Sequence, residues 1–137
     1  MKNEIKFEKV GHGIYVVETY YLNRIYFAAC YVMEDNGEVA VIETNTNYAI
    51  PFILGTLDRL GFGKEQVKYV ILTHIHLDHA GGAGELMRNL PRAELVLHPR
   101  GRKHIIDPEK LIKSVKEVYG EARYKELYGE IHPVPKE

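Results

Sequence analysis

Four side chains able to bind a metal, His74, His76, Asp78 and His79, fall within six residues, directly behind the apolar run Tyr69-Val70-Ile71-Leu72. A short, apolar, β-branched run of this kind reads as a buried strand, so the cluster belongs at the strand's C-terminal end. In open α/β sheets that edge is where ligands collect, because the loop leaving a strand is held rigidly while its side chains face a crevice. If His74 and His76 continue in extended geometry, their alternate spacing points both to one side, where they can grip one ion. Asp78 and His79 come after the turn and face a second ion or orient the first site. Imidazole nitrogens and carboxylate oxygens suit zinc and, less selectively, iron or manganese. A lone histidine is most often solvated or hydrogen-bonded. Three with an aspartate in six residues, just past a strand, reverse that expectation and point to a metal site. Gly81 and Gly82 then allow a tight turn, with amides placed to open a helix from Ala83 to Arg88.

The rest of the chain supplies a scaffold for such an edge. Lys6 to Tyr20 alternates around Gly11 and Gly13, which predicts a hairpin or two short strands. Tyr20 to Arg24 reads as an aromatic and polar turn, and Ile25 to Met33 as another strand. Glu34-Asp35-Asn36-Gly37 turns that strand back into Glu38 to Ile42, since Asn-Gly is the signature of a type I′ hairpin. Glu43-Thr44-Asn45-Thr46-Asn47 closes the strand, with Thr44, Asn45 or Asn47 as the candidate cap of the next helix. That helix starts near Pro51, carries Ile50, Ile53, Leu54, Leu57 and Leu60 on one face, and ends at Gly61. Val67 to Leu72 follows as the metal-bearing strand, so a βαβ unit with parallel strands is expected. Ala93 to Leu97 is a further strand whose end brings His98 and Arg100 to the same rim, where an arginine suits a carboxylate or phosphate; a solvated loop is the equal alternative. Asp107-Pro108 reads as the start of a helix with the stripe Leu111, Ile112, Val115, Val118 and Tyr119.

At His74, His76, Asp78 and His79 the chain resembles the metallo-β-lactamase-fold superfamily, whose signature is His-x-His-x-Asp-His followed by glycine. The resemblance implies an α/β fold of α+β type: half of an αββα sandwich, a mixed sheet with an antiparallel N-terminal part and helices on one face. It also implies a metal-dependent hydrolase, holding up to two zinc ions, in which metal-activated water attacks an ester, thioester, lactam or phosphodiester of a small-molecule substrate. His74 and His76 would hold one ion and His79 with Asp78 the other, Asp78 also orienting the water or moving its proton. Flavin-linked di-iron relatives tend to carry glutamate at the position of His76, so the histidine favours zinc-type hydrolysis, with iron or manganese as the other options. The family's usual Asp-Thr-Gly, whose aspartate supports the histidine loop, stands here as Glu43-Thr44-Asn45, which passes the supporting role to Glu43. Loops near Tyr20, Tyr21 and Arg24 overhang the metal pocket in the family, making these three candidate substrate contacts.

Composition narrows the class. The 137 residues, 45% hydrophobic and 27% charged, suit a single domain spanning residues 1–137. With 18 basic and 19 acidic residues and a net charge of -1, there is no basic stripe for nucleic acid or for an anionic membrane. No run of about 18 apolar residues exists to span a bilayer. The single cysteine, Cys30, in an apolar run, reads as buried filler and fits a reducing, cytoplasmic compartment.

The resemblance covers only the first half of the family's fold, and the ligands its later half contributes have no counterpart here. Neither metal centre is complete, and the inner sheet face lacks its covering layer. Three arrangements account for this: a piece of a longer hydrolase, a half-protein that pairs with its own copy, or a non-catalytic metal- or partner-binding domain that self-associates.

Overall fold

A computed structural model describes residues 4–21, 24–73, 80–128 and 133. Six strands form one mixed sheet in sequential order: β1 (Phe7–Gly11), β2 (Ile14–Glu18), β3 (Ala29–Asp35), β4 (Glu38–Ile42), β5 (Val67–Ile71) and β6 (Glu94–Val96). The first four pair antiparallel, while β4, β5 and β6 run parallel. The helices are α1 (Ile50–Arg59), α2 (Ala83–Asn89), α3 (Arg102–Ile106), α4 (Glu109–Tyr119) and α5 (Glu121–Tyr128). The mixed sheet with its antiparallel N-terminal part is the one the sequence implies. Among the described residues no helix is long and apolar enough to cross a membrane.

Local chemistry sets these elements. Asn36 and Gly37 adopt φ 51° and 83°, the double left-handed pair a type I′ turn demands. Pro51 occupies the first turn of α1, and Gly61 at φ 76° follows its end. None of Thr44, Asn45 and Asn47 caps α1, which starts from Ala49 without a side-chain cap; Thr46 instead caps the 3₁₀ turn Asn47–Ala49 ahead of it, its hydroxyl accepting the Tyr48 amide.

Alternation in the strands sends one set of side chains against the helices. Val17, Cys30, Val32, Val39, Val41, Val67 and Val70 are buried against Ile53 and Leu57 of α1 and Leu86 of α2. The opposite set forms two rows across the sheet. One runs Val16, Tyr31, Ile42, Ile71, Val96, and the other Ile14, Met33, Ala40, Tyr69, Glu94. This face is apolar yet open: Tyr31, Met33, Tyr69 and Val96 keep 41%, 42%, 44% and 44% of their surface. The run Tyr69 to Leu72 is therefore buried on one face only.

Three expectations need correction. The strand read from Ile25 begins only at Ala29, because Glu18 captures the Tyr26 amide and Tyr26 takes φ 60°, which an extended strand cannot contain. Residues read as a loop after β6 form a 3₁₀ turn, Pro99–Gly101, and helix α3, whose Ile105 packs with Leu72 and Ala83. The stripe on α4 is half-buried at best, with Val118 and Tyr119 exposed.

Candidate metal centre

The parallel strands β4 and β5 end side by side, and the connection leaving β4 takes hold of the chain leaving β5. The Glu43 amide donates to the Ile71 carbonyl at 2.8 Å, continuing the ladder past the strand end. Its carboxylate then turns back. One oxygen, Oε1, accepts both the Thr73 amide at 2.7 Å and the Thr73 hydroxyl at 2.9 Å. Glu43 is buried, so its charge needs such donors, and a carboxylate receiving amide and hydroxyl makes stronger bonds than a neutral acceptor would. Thr73 immediately precedes His74. Glu43, the residue to which the family pattern passes the supporting role, thus holds the residue just ahead of His74, reaching it through φ 72°, an unusual conformation for a glutamate.

Two residues on, Asn45 holds the other flank. Its carbonyl accepts the Gly82 amide at 2.8 Å. That amide, placed ahead of α2, is spent on the protein's own backbone. Gly82 is required by closeness: a Cβ there would stand 2.8 Å from the Thr46 carbonyl oxygen and 2.8 Å from the Ile50 Cδ1. Leu72, on the other side, donates its amide to the Val96 carbonyl at 2.9 Å. The segment between Thr73 and Gly82 therefore leaves and rejoins the structure at two points fixed to one short connection, at the C-terminal edge of the parallel strands.

His74, His76, Asp78 and His79 lie outside the described residues. Among the described residues no group of three or more His, Cys, Asp or Glu side chains is placed to hold a metal ion. The donor set of the segment, three imidazoles and a carboxylate, fits zinc, and the anchored flanks fit a segment that must present donors in fixed positions.

The remaining candidates separate. Tyr20 is used structurally: its ring lies 4.9 Å from that of Phe52 on α1 and its hydroxyl donates to the Glu4 carbonyl. Tyr21 and Arg24 both gather on Phe27, the ring centroids 5.7 Å apart and the guanidinium 5.3 Å from the ring. His98 and Arg100 emerge exposed at the end of β6, where His98 Nδ1 accepts the Arg100 amide and caps the 3₁₀ turn. This gives the His98 ring a local structural use, while the Arg100 side chain stands at the surface.

Sequence reasoning passed over Glu18 and Thr19. The Glu18 carboxylate, buried at the end of β2, accepts the amides of Tyr20 at 3.0 Å and Tyr26 at 2.6 Å, clamping both ends of the β2–β3 connection. The signal was a charged residue ending the apolar run Ile14 to Val17. Beneath the site Cys30 is buried filler, as expected. Burial pushes its thiol pKa up, the Glu43 charge adds to that, and the Asn45 amide donating to Sγ opposes it.

The profile of the metallo-beta-lactamase superfamily matches residues 24–136. The chain belongs to that superfamily. A B3 metallo-beta-lactamase described as having an active-site glutamic acid is 26% identical, with a TM-score of 0.62 over 73% of this chain and 35% of its own. MEM-A1, a subclass B3 metallo-beta-lactamase from a soil metagenome library, is 23% identical, with a TM-score of 0.65 over 95% of this chain and 42% of its own. The uncharacterized protein YobT of Bacillus subtilis (strain 168) is 28% identical over 71 residues, covering 52% of this chain and 29% of YobT. In each comparison the chain spans less than half of its relative, and the superfamily and the solved relatives are metal-dependent hydrolases.

Proposed function

We propose that the chain is the metal-presenting half of a zinc-dependent hydrolase, acting on an ester, thioester, lactam or phosphodiester of a small molecule inside the cell. The observation that carries this reading is the double anchorage of the His-x-His-x-Asp-His segment, by Glu43 at Thr73 and by Asn45 at Gly82. His74 and His76 would hold one ion, and Asp78 with His79 the second. When bound, zinc supplies Lewis acidity, polarising the scissile carbonyl or phosphoryl oxygen and lowering the pKa of water toward about 7. Asp78 would orient the attacking water or move its proton. The single buried cysteine suits the reducing cytoplasm.

Four donors shared between two ions leave each short of a full set, and the open sheet face leaves an apolar layer uncovered. We take both to be completed by the remaining half of the fold, carried on the same, longer polypeptide; the relatives' additional length supports this. The test is zinc uptake by calorimetry and elemental analysis, in the chain alone and extended by any downstream coding sequence. Zinc binding that His76→Ala removes, with hydrolysis of a generic ester or phosphodiester appearing in the extended protein, is the expected result. No zinc uptake by either form would overturn the reading.

A further inference from the structure

Where the family pattern places a glycine, this chain carries Asn45, at φ 52°, and the added side chain reaches toward the end of β2. Its Oδ1 accepts the Thr19 hydroxyl at 2.9 Å, a buried bond between residues 26 positions apart. The same hydroxyl lies 3.2 Å from the Ala28 carbonyl, so it touches the far end of the β2–β3 connection as well. Nδ2 reaches Cys30 Sγ at 3.5 Å, which holds the amide plane in one orientation. Meanwhile the Asn45 backbone carbonyl receives the Gly82 amide. One residue therefore bonds to the connection carrying Tyr20 to Ala28 through its side chain and to the outgoing flank of the histidine segment through its backbone.

We propose that Asn45 is a positioning residue that couples the β2–β3 connection to Gly82, the outgoing flank of the metal-presenting segment. Asparagine tolerates the left-handed conformation found here better than most residues that carry a side chain, so the tether is compatible with the turn. Glu18 reinforces it from the other side, by clamping the connection's two ends to β2. Buried, mutually satisfied polar groups of this kind have discrete arrangements rather than a continuum, which lets a shift at one end be felt at the other. The inference rests on the proposed function only in calling the segment metal-presenting.

The test is amide hydrogen exchange on the metal-free chain, read at Gly82. Thr19→Val removes the hydroxyl on the connection and touches nothing on the Gly82 side. It is expected to speed Gly82 exchange about fivefold, the factor that one hydrogen bond of ordinary worth carries. Thr19→Ser keeps the hydroxyl and should restore protection. Asn45→Gly removes the side chain, keeps the carbonyl that accepts from Gly82 and allows the same φ, with glycine's added backbone freedom as its one side effect. It should reproduce the effect of Thr19→Val, and the double variant should add nothing further. Gly82 protection unchanged in Thr19→Val, or effects of the two substitutions that simply add, would overturn the coupling. Because no metal is present, this outcome is independent of zinc uptake, which alone decides the functional reading.

Discussion

Glu43 concentrates several constraints in one side chain: a left-handed backbone, a buried charge, and both hydrogen bonds at the head of the histidine segment. Glu43→Ala strands the Thr73 amide and is expected to lower stability by about 1.5–3 kcal/mol in urea unfolding, with Glu43→Gln losing less because an acceptor oxygen remains. Zinc affinity should fall about 10–100-fold in the alanine variant, read by competition with a chelator. Gly82→Ala drives a methyl group into the Thr46 carbonyl and the Ile50 side chain, for an expected loss of about 1–3 kcal/mol. Cys30 gives a pH signature. Its thiol titrates above the ordinary 9.0 in the folded chain, so the native state keeps a proton that the unfolded chain has lost. Stability is full below about pH 9 and falls above it, by up to about 1.4 kcal/mol per pH unit. Cys30→Ala should flatten that slope relative to the parent when both are unfolded in urea across pH 8 to 10.

At the scale of elements, local patterning carried the reading where it acted alone. The Asn36-Gly37 hairpin, the stripe and stop of α1, and the parallel β4–β5 pair all follow from short-range chemistry, and each is present. Gly37→Ala, forced to keep φ 83°, should cost about 1–2 kcal/mol in thermal or urea unfolding without shifting the strands. The start of β3 is not legible in the sequence because Glu18 reaches across eight residues to Tyr26, and a tertiary bond leaves no trace in the alternation of Ile25 to Met33. Likewise α3 lies in a polar, proline- and glycine-bearing stretch and gains its place by packing Ile105 beneath the sheet's end. At the site, the family pattern points to Glu43, and its hold on Thr73 is present. The bond from Thr19 to Asn45 was not, because its partners are separated by two strands.

For the molecule as a whole, the uncovered face dominates. Two cross-strand rows of mostly apolar side chains face solvent where a second sheet would lie about 10 Å away in a sandwich. The chain alone is therefore expected to bind a hydrophobic dye and to self-associate with rising concentration, by fluorescence and light scattering. Tyr69→Lys, on the open row, should reduce both while changing stability by no more than about 0.5 kcal/mol. Polydispersity and dye binding unaffected by that change would show that the face is not the adhesive surface.

The short stretch from Glu43 to Thr46 grips the polypeptide on both sides of the eight residues 74–81. With both feet nailed to one plank, the span between those feet is set within this half, and the entropy of bringing them together is already spent there. A separately expressed second layer would thus have to supply contacts, not order, which makes mixing two polypeptides a realistic route to rebuilding the complete site.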